Sequence, residues 1–197
     1  MNYLAHIYLS YDNDQVKIGN FIADFIKGNN FKKFPEAIQK GILLHRLIDS
    51  FTDAHPVVRK SKRRLHKRYR HYDGVIIDIF MDHFLAKNWQ LFSTIPLPEY
   101  ENNFIALLEK NSKILPSKLI VILPYLKMQK WLSSYANLTG IEKTLQGVNK
   151  RTKGISKMDL AINDLQENYT NFESDFFLFF KELESYVSNI DFKTLKK

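Results

Sequence analysis

Val75-Ile76-Ile77-Asp78-Ile79-Phe80-Met81-Asp82-His83-Phe84-Leu85 is apolar apart from Asp78, Asp82 and His83. It reads as one very apolar helix, Val75 to Ala86, and it sets the reading of the whole chain. Asp78 and Asp82 are four residues apart, so both carboxylates project from one helix face. His83 lies about 100° round from Asp82, close enough to approach a shared point. Three ionisable groups on an oily helix are costly to bury uncompensated. A bound cation removes that cost.

Working outward, helical spacing dominates and strand-like alternation is scarce. Residues 13 to 27 open with Asn13 or Asp14 as the N-cap, run through Val16, Ile18, Phe21, Ile22, Phe25 and Ile26, and stop at Gly28. Pro35 sits where a helix can begin, and Ile38, Ile42, Leu44, Leu47, Ile48 and Phe51 follow before Pro56. Gly74 separates a basic stretch from the apolar helix. Pro96 and Pro98 mark a loop before a helix over Tyr100 to Lys110. Ser117 caps a segment broken or kinked near Pro124, and Leu138 to Lys150 and Met158 to Leu165 are shorter amphipathic pieces. A last helix, about Asn171 to Ser188, carries so many aromatics that burial on more than one side is expected. No repeat, low-complexity linker or domain boundary interrupts this pattern. The expected fold is all-α: one helical bundle spanning residues 1–197.

The bulk numbers agree. Of the 197 residues, 45% are hydrophobic and 25% charged, the proportions of an ordinary globular protein. No apolar run reaches the roughly 18 residues of a membrane-spanning helix. The chain has no cysteine, which excludes a disulfide framework, a thiolate nucleophile and a zinc–thiolate site. The start of the chain lacks the basic flank and cleavage site of a signal peptide, so a soluble, cytoplasmic protein is expected. The formal charge of +8 is matched by one segment, RKSKRRLHKRYR, in which Arg59, Lys60, Lys62, Arg63, Arg64, Lys67, Arg68 and Arg70 stand without an acid. Such a block favours an anionic partner, or else is a solvated helix face.

Histidine and aspartate recur in apolar surroundings elsewhere. Leu44-His45-Arg46-Leu47-Ile48-Asp49 places His45 and Asp49 on one helix face, and Asp53 continues it one turn later. Asp24 is a lone carboxylate within Phe21-Ile22-Ala23-Asp24-Phe25-Ile26, and His6 lies in a short apolar N-terminal segment. Each has an ordinary explanation: a cap, an intrahelical hydrogen bond, a satisfied core histidine. His55, His66 and His71 belong most simply to solvent-facing stretches. Together, three helices each hiding His or Asp argue for one shared site. Imidazole and carboxylate donors suit Mn²⁺, Mg²⁺, Fe²⁺ or Zn²⁺.

These residues carry a resemblance. Met1-Asn2-Tyr3-Leu4-Ala5-His6, Gly19-Asn20-Phe21-Ile22-Ala23-Asp24-Phe25 with Gly28, His45-Arg46-Leu47-Ile48-Asp49-Ser50-Phe51-Thr52-Asp53 and Asp78-Ile79-Phe80-Met81-Asp82-His83-Phe84-Leu85 resemble the acyl carrier protein phosphodiesterase family. Lys130-Trp131-Leu132 with Tyr135, and Asn149-Lys150-Arg151, look like its second half. The resemblance implies a helical fold related to HD-type metal phosphohydrolases with its elements in a non-standard order, Asp82-His83 being a reversed doublet. It implies hydrolysis of the phosphodiester joining 4′-phosphopantetheine to the serine of acyl carrier protein, with Mn²⁺ favoured and Mg²⁺ or Fe²⁺ as substitutes. By the same resemblance Asp24, His45, Asp78, Asp82 and His83 form the metal site, and His6, Asp49 and Asp53 support it or act in catalysis. Arg46, next to His45, would stabilise phosphate charge or, one position round the helix, pair with a surface acid, and the basic segment would dock the acidic carrier protein or be bystander surface. Two other readings stand beside this one. A related hydrolase could act on a nucleotide or other small phosphodiester, although no Gly-rich phosphate loop is present. A non-enzymatic nucleic-acid-binding module could use the basic run, although only Tyr69 and Tyr72 offer it aromatic platforms.

Overall fold

The computed structural model describes residues 2–192 and 195, and among these every regular element is helical. Met1 of the N-terminal motif lies outside them. The short first helix, α1 (Tyr3–Tyr8), has no cap from its own neighbours. Asp82 supplies one from another helix, accepting from the backbone N–H of Leu4 at 2.7 Å and of Ala5 at 3.2 Å. Asn13 caps α2 (Asp14–Ile22) by accepting from the N–H of Val16. Here α2 stops earlier than the apolar spacing suggests. A tighter 3-10 turn, Ala23–Phe25, follows and lifts Asp24 out to the surface.

A long helix, α3 (Glu36–Ala54), lies against α2, and two glycines set their separation. A Cβ on Gly19 would stand 2.2 Å from the carbonyl oxygen of Ile38, and one on Gly41 would stand 2.2 Å from that of Val16. No larger residue fits at either place. Pro56 opens α4 (Pro56–Tyr69) at a position whose N–H needs no partner, and Arg70, at φ +49°, ends it. The apolar helix is α5 (Asp73–Lys87), and Gly74 lies inside its first turn rather than before it. Likewise α6 (Leu97–Lys110) takes Pro98 into its first turn, and α7 (Ser117–Met128) runs through Pro124.

The second half holds α8 (Trp131–Ser134), α9 (Leu138–Arg151), α10 (Ala161–Glu167) and α11 (Tyr169–Ser188). Against expectation, α11 buries one broad face. Phe172, Phe176, Phe179, Phe180, Leu183 and Val187 fall within an arc of about 100°, while Phe177 and Leu178 stay exposed. Its buried Asp175 accepts from Ser61 at 2.7 Å and pairs with Lys60 and Arg64, tying α11 to α4. No helix among the described residues is long and apolar enough to cross a membrane.

Candidate metal centre

Two imidazoles meet where α1, α2 and α3 pack together. The rings of His6 and His45 stack with centroids 3.9 Å apart and planes 16° from parallel. Asn20, fully buried on α2, fixes both. Its side-chain N–H₂ donates to the carbonyl of His6 at 2.8 Å and to Ser10 Oγ at 2.9 Å. That leaves Oδ1 as the acceptor for His6 Nδ1–H at 2.9 Å. The backbone carbonyl of Asn20 accepts from His45 Nδ1–H at 2.8 Å. With both Nδ1 atoms used as donors, both Nε2 atoms present lone pairs in the neutral ring. This is the outer arrangement that orients metal-ligating histidines.

Both Nε2 atoms face carboxylates. His45 Nε2 lies 3.2 Å from Asp24 Oδ1 and 3.1 Å from Asp49 Oδ2, and His6 Nε2 lies 3.3 Å from Asp49 Oδ1. Among the described residues, His6, His45 and Asp49 are the one trio of such donors whose atoms all lie within 4.8 Å of one another. A lone pair facing a carboxylate needs a proton or a cation between them. For His45 a proton serves: burial alone would depress its pKa, but the hydrogen bonds to Asp24 and Asp49 reverse this and raise it to about 9. Burial, and then the charge on His45, push His6 down to about 4. Its buried Nε2 therefore stays without a hydrogen-bond partner. The bond from His45 holds Asp24 below the usual carboxylate range, and both histidines hold Asp49 far below it against its burial. Three electron-pair donors around one polar point, from His6, His45 and Asp49, one of them an orphaned buried nitrogen, fit a divalent cation, with Asp24 beside His45.

The centre opens into a cleft of about 1080 Å³ lined by Asp24, His45, Asp49, Asp53 and Asp78, with walls from α7, α8 and α9. Asp78 therefore faces the same space from α5. Asp53, also on the cleft, pairs with Lys62 at 2.7 Å.

Three residues expected at the centre are engaged elsewhere. Asp82 is fully buried and spends both oxygens on capping α1, with burial raising its pKa to about 7. Its effect on the centre runs through the helix that carries His6. His83 is held at both nitrogens, by the carbonyl of Tyr135 and the hydroxyl of Tyr169, each at 2.8 Å. Arg46 donates to the carbonyl of Gly28 at 2.7 Å and lies over the Phe31 ring, so it braces the Gly28–Lys33 turn instead of facing the cleft. His55 is also not solvent-facing: it is buried against Phe179 and meets Glu182 at 3.1 Å.

Within the basic segment, Lys60 and Arg64 meet Asp175, Lys62 meets Asp53, and Arg68 meets Asp164. Arg59 donates to the carbonyl of Asp53. Arg63, Lys67 and Arg70 remain exposed. The functional residue that sequence reasoning passed over is Asn20. Its signal was a polar side chain inside Ile18-Gly19-Asn20-Phe21-Ile22, a conspicuous amide in an apolar helix segment.

Residues 1–183 match a family model described as acyl carrier protein phosphodiesterase. A curated relative of that name from Photorhabdus laumondii subsp. laumondii is 32% identical over 196 residues, 99% of each chain. Another, from Enterobacter sp. strain 638, is 31% identical over 193 residues, covering 96% of this chain and 98% of its own. A third, from Shigella boydii serotype 18, is 31% identical over 194 residues. No solved structure matched.

Proposed function

The chain belongs to the acyl carrier protein phosphodiesterase family, and from that premise we propose that it is a metal-dependent phosphoric diester hydrolase releasing 4′-phosphopantetheine from holo-acyl carrier protein. The observation that carries the metal dependence is the convergence of His6, His45, Asp24 and Asp49 at the mouth of a large cleft. Their mixed nitrogen and oxygen donors suit Mn²⁺, with Mg²⁺ or Fe²⁺ as substitutes. When bound, such an ion supplies Lewis-acid polarisation of the phosphoryl group and of the attacking water. Kinship with HD-type phosphohydrolases is part of the proposal. Its support is the His45–Asp49 pair on α3 joined by His6 from α1, rather than the Asp82-His83 doublet.

The residues divide the remaining work. Asn20 fixes the ring orientation of both histidines, and Asp82 fixes the helix that presents His6. His6, held neutral, and Asp49, held ionised, act as electron-pair donors, so neither is the acid that protonates the departing serine. Asp24 and Asp49, 55% and 43% exposed at the side chain, present their carboxylates to the cleft.

For docking, Arg63, Lys67 and Arg70 are the members of the basic segment open to an acidic carrier protein, where they raise the association rate. A cytoplasmic setting belongs to the same proposal and is supported by the absence of cysteine from the chain. Mass spectrometry of holo-acyl carrier protein incubated with the protein and Mn²⁺ tests the function. The expected result is loss of one phosphopantetheine mass, abolished by Asp24→Ala. No mass change under any metal contradicts it.

A further inference from the structure

The cleft has a wall that the chemistry above does not use. Lys143, Gly147 and Arg151 of α9 line it. Positions four and eight residues apart on a helix stay within an arc of about 80°, so the two cations share one face. Gly147 lies between them, and a Cβ there would meet nothing within 4 Å. The surface between the cations is therefore bare backbone, open to the cleft. Both side chains are exposed, and neither pairs with an acid among the described residues.

The wall is held firmly. Asn137 caps the start of α9, accepting from the N–H of Gly140 at 2.9 Å. A Cβ on Gly140 would stand 1.9 Å from the carbonyl of Ser134, so α9 sits hard against α8. Near the other end, Asn149 donates to Asp159 at 2.8 Å and accepts from Ser156 at 2.9 Å. Arg151 thus projects from a fixed helix end.

Charge in the cleft is of both signs. Asp24, Asp49, Asp53 and Asp78 line the cleft, and so do Lys143 and Arg151. Tyr3, also on the cleft, feels both: burial and then Asp24 raise its pKa, and Arg151 lowers it. A phosphodiester is anionic, and the carboxylates in the lining repel it unless a cation intervenes. Its remaining oxygen needs positive charge from elsewhere, and Arg46, turned toward Gly28, does not supply it.

We propose that Lys143 and Arg151 form an anion subsite that holds the phosphodiester of the 4′-phosphopantetheine group, with Arg151 contacting a non-bridging oxygen in the cleft that His45 and Asp49 also line. This assignment rests on the phosphodiesterase reading above. The guanidinium offers two parallel N–H donors to a phosphate, and the flexible Lys143 adds a point charge.

The test is calorimetric titration of the metal-free protein, kept in chelator, with 4′-phosphopantetheine. Arg151→Ala and Lys143→Ala should each weaken binding by about tenfold or more. Lys150→Ala, an exposed neighbour that does not line the cleft, should leave it unchanged. Pantetheine without its phosphate should not distinguish the variants. Unaltered affinity in Arg151→Ala, an equal loss in Lys150→Ala, or no binding by the unsubstituted protein overturns the subsite. Cleavage of holo-acyl carrier protein by the unsubstituted protein with Mn²⁺ is scored separately. Cleavage with Arg151-independent binding sinks the subsite alone. Arg151-dependent binding without cleavage sinks the phosphodiesterase reading alone.

Discussion

Replacing Asn20 with alanine removes the amide that holds His6 while leaving His45 its partner, because His45 bonds to the backbone carbonyl of residue 20. Three side-chain hydrogen bonds disappear: to His6 Nδ1, to the His6 carbonyl and to Ser10 Oγ. The His6 carbonyl keeps Ser10 Oγ as a donor at 2.8 Å, so the main loss is a buried Nδ1–H left without an acceptor. Net hydrogen bonds of about 0.5–1.5 kcal/mol and an unsatisfied buried donor of about 1–3 kcal/mol put the cost at roughly 2–4 kcal/mol. For a chain of this size that lowers Tm by about 4–15 °C. Loss of an outer partner of a ligating histidine typically weakens metal binding by about 10–100-fold. Thermal denaturation of the metal-free protein reads the first effect, and Mn²⁺ titration followed by electron paramagnetic resonance reads the second. An Asn20→Ala protein that melts with the unsubstituted one and binds Mn²⁺ as tightly refutes the role given to Asn20.

Other consequences follow from the same geometry. Gly41→Ala forces a methyl to within 2.2 Å of the Val16 carbonyl, so α2 and α3 should separate at a cost of about 1–3 kcal/mol, with weaker Mn²⁺ binding by the same titration. Asp175→Asn should cost about 2–3 kcal/mol in urea denaturation, below the about 3–5 kcal/mol of a fully buried pair, because Lys60 and Arg64 are partly solvated. In the metal-free protein, His45 is raised from 6.5 to about 9, so its contribution to stability is complete below pH 6.5 and lost as pH rises through 9. His6 is lowered from 6.5 to about 4, so its contribution is complete above pH 6.5 and lost as pH falls through 4. Asp82, raised from 3.8 to about 7, loses its contribution over the window in which His6 gains, so the Tm of metal-free protein should stay nearly level between pH 4 and 6.5 and decline above it. His45→Gln should remove the alkaline decline, and an unchanged decline in that variant would count against the pairing.

Periodicity exposed the helical architecture because most helices here bury one apolar stripe, and His45 with Asp49 was visible as an i, i+4 pair on such a stripe. Polar residues in oily helices were correctly singled out, but their spacing does not tell what satisfies them. Asp82 and His83 looked like ligands and instead satisfy the backbone of α1, the carbonyl of Tyr135 and the hydroxyl of Tyr169. Those partners lie between 52 and 86 residues away, beyond the reach of any local pattern. Asn20 escaped for the same reason, since its importance comes from His45, brought to it by the Gly19–Gly41 contact, and from His6 on α1. Arg46 adjoins His45 in sequence, but neighbouring residues on a helix point about 100° apart, and its partner is the Gly28 carbonyl rather than the phosphate or a surface acid. Arg151 stood out only within the Asn149-Lys150-Arg151 stretch of the family resemblance, and only the packing of α9 places it on the cleft.

Diffraction from crystals grown with Mn²⁺, recorded where manganese scatters anomalously, tests the metal centre directly. One anomalous peak should lie about 2.0–2.3 Å from the Nε2 atoms of His6 and His45 and from oxygens of Asp24 and Asp49. A peak seated instead at Asp82 and His83, or none at saturating Mn²⁺, contradicts the account.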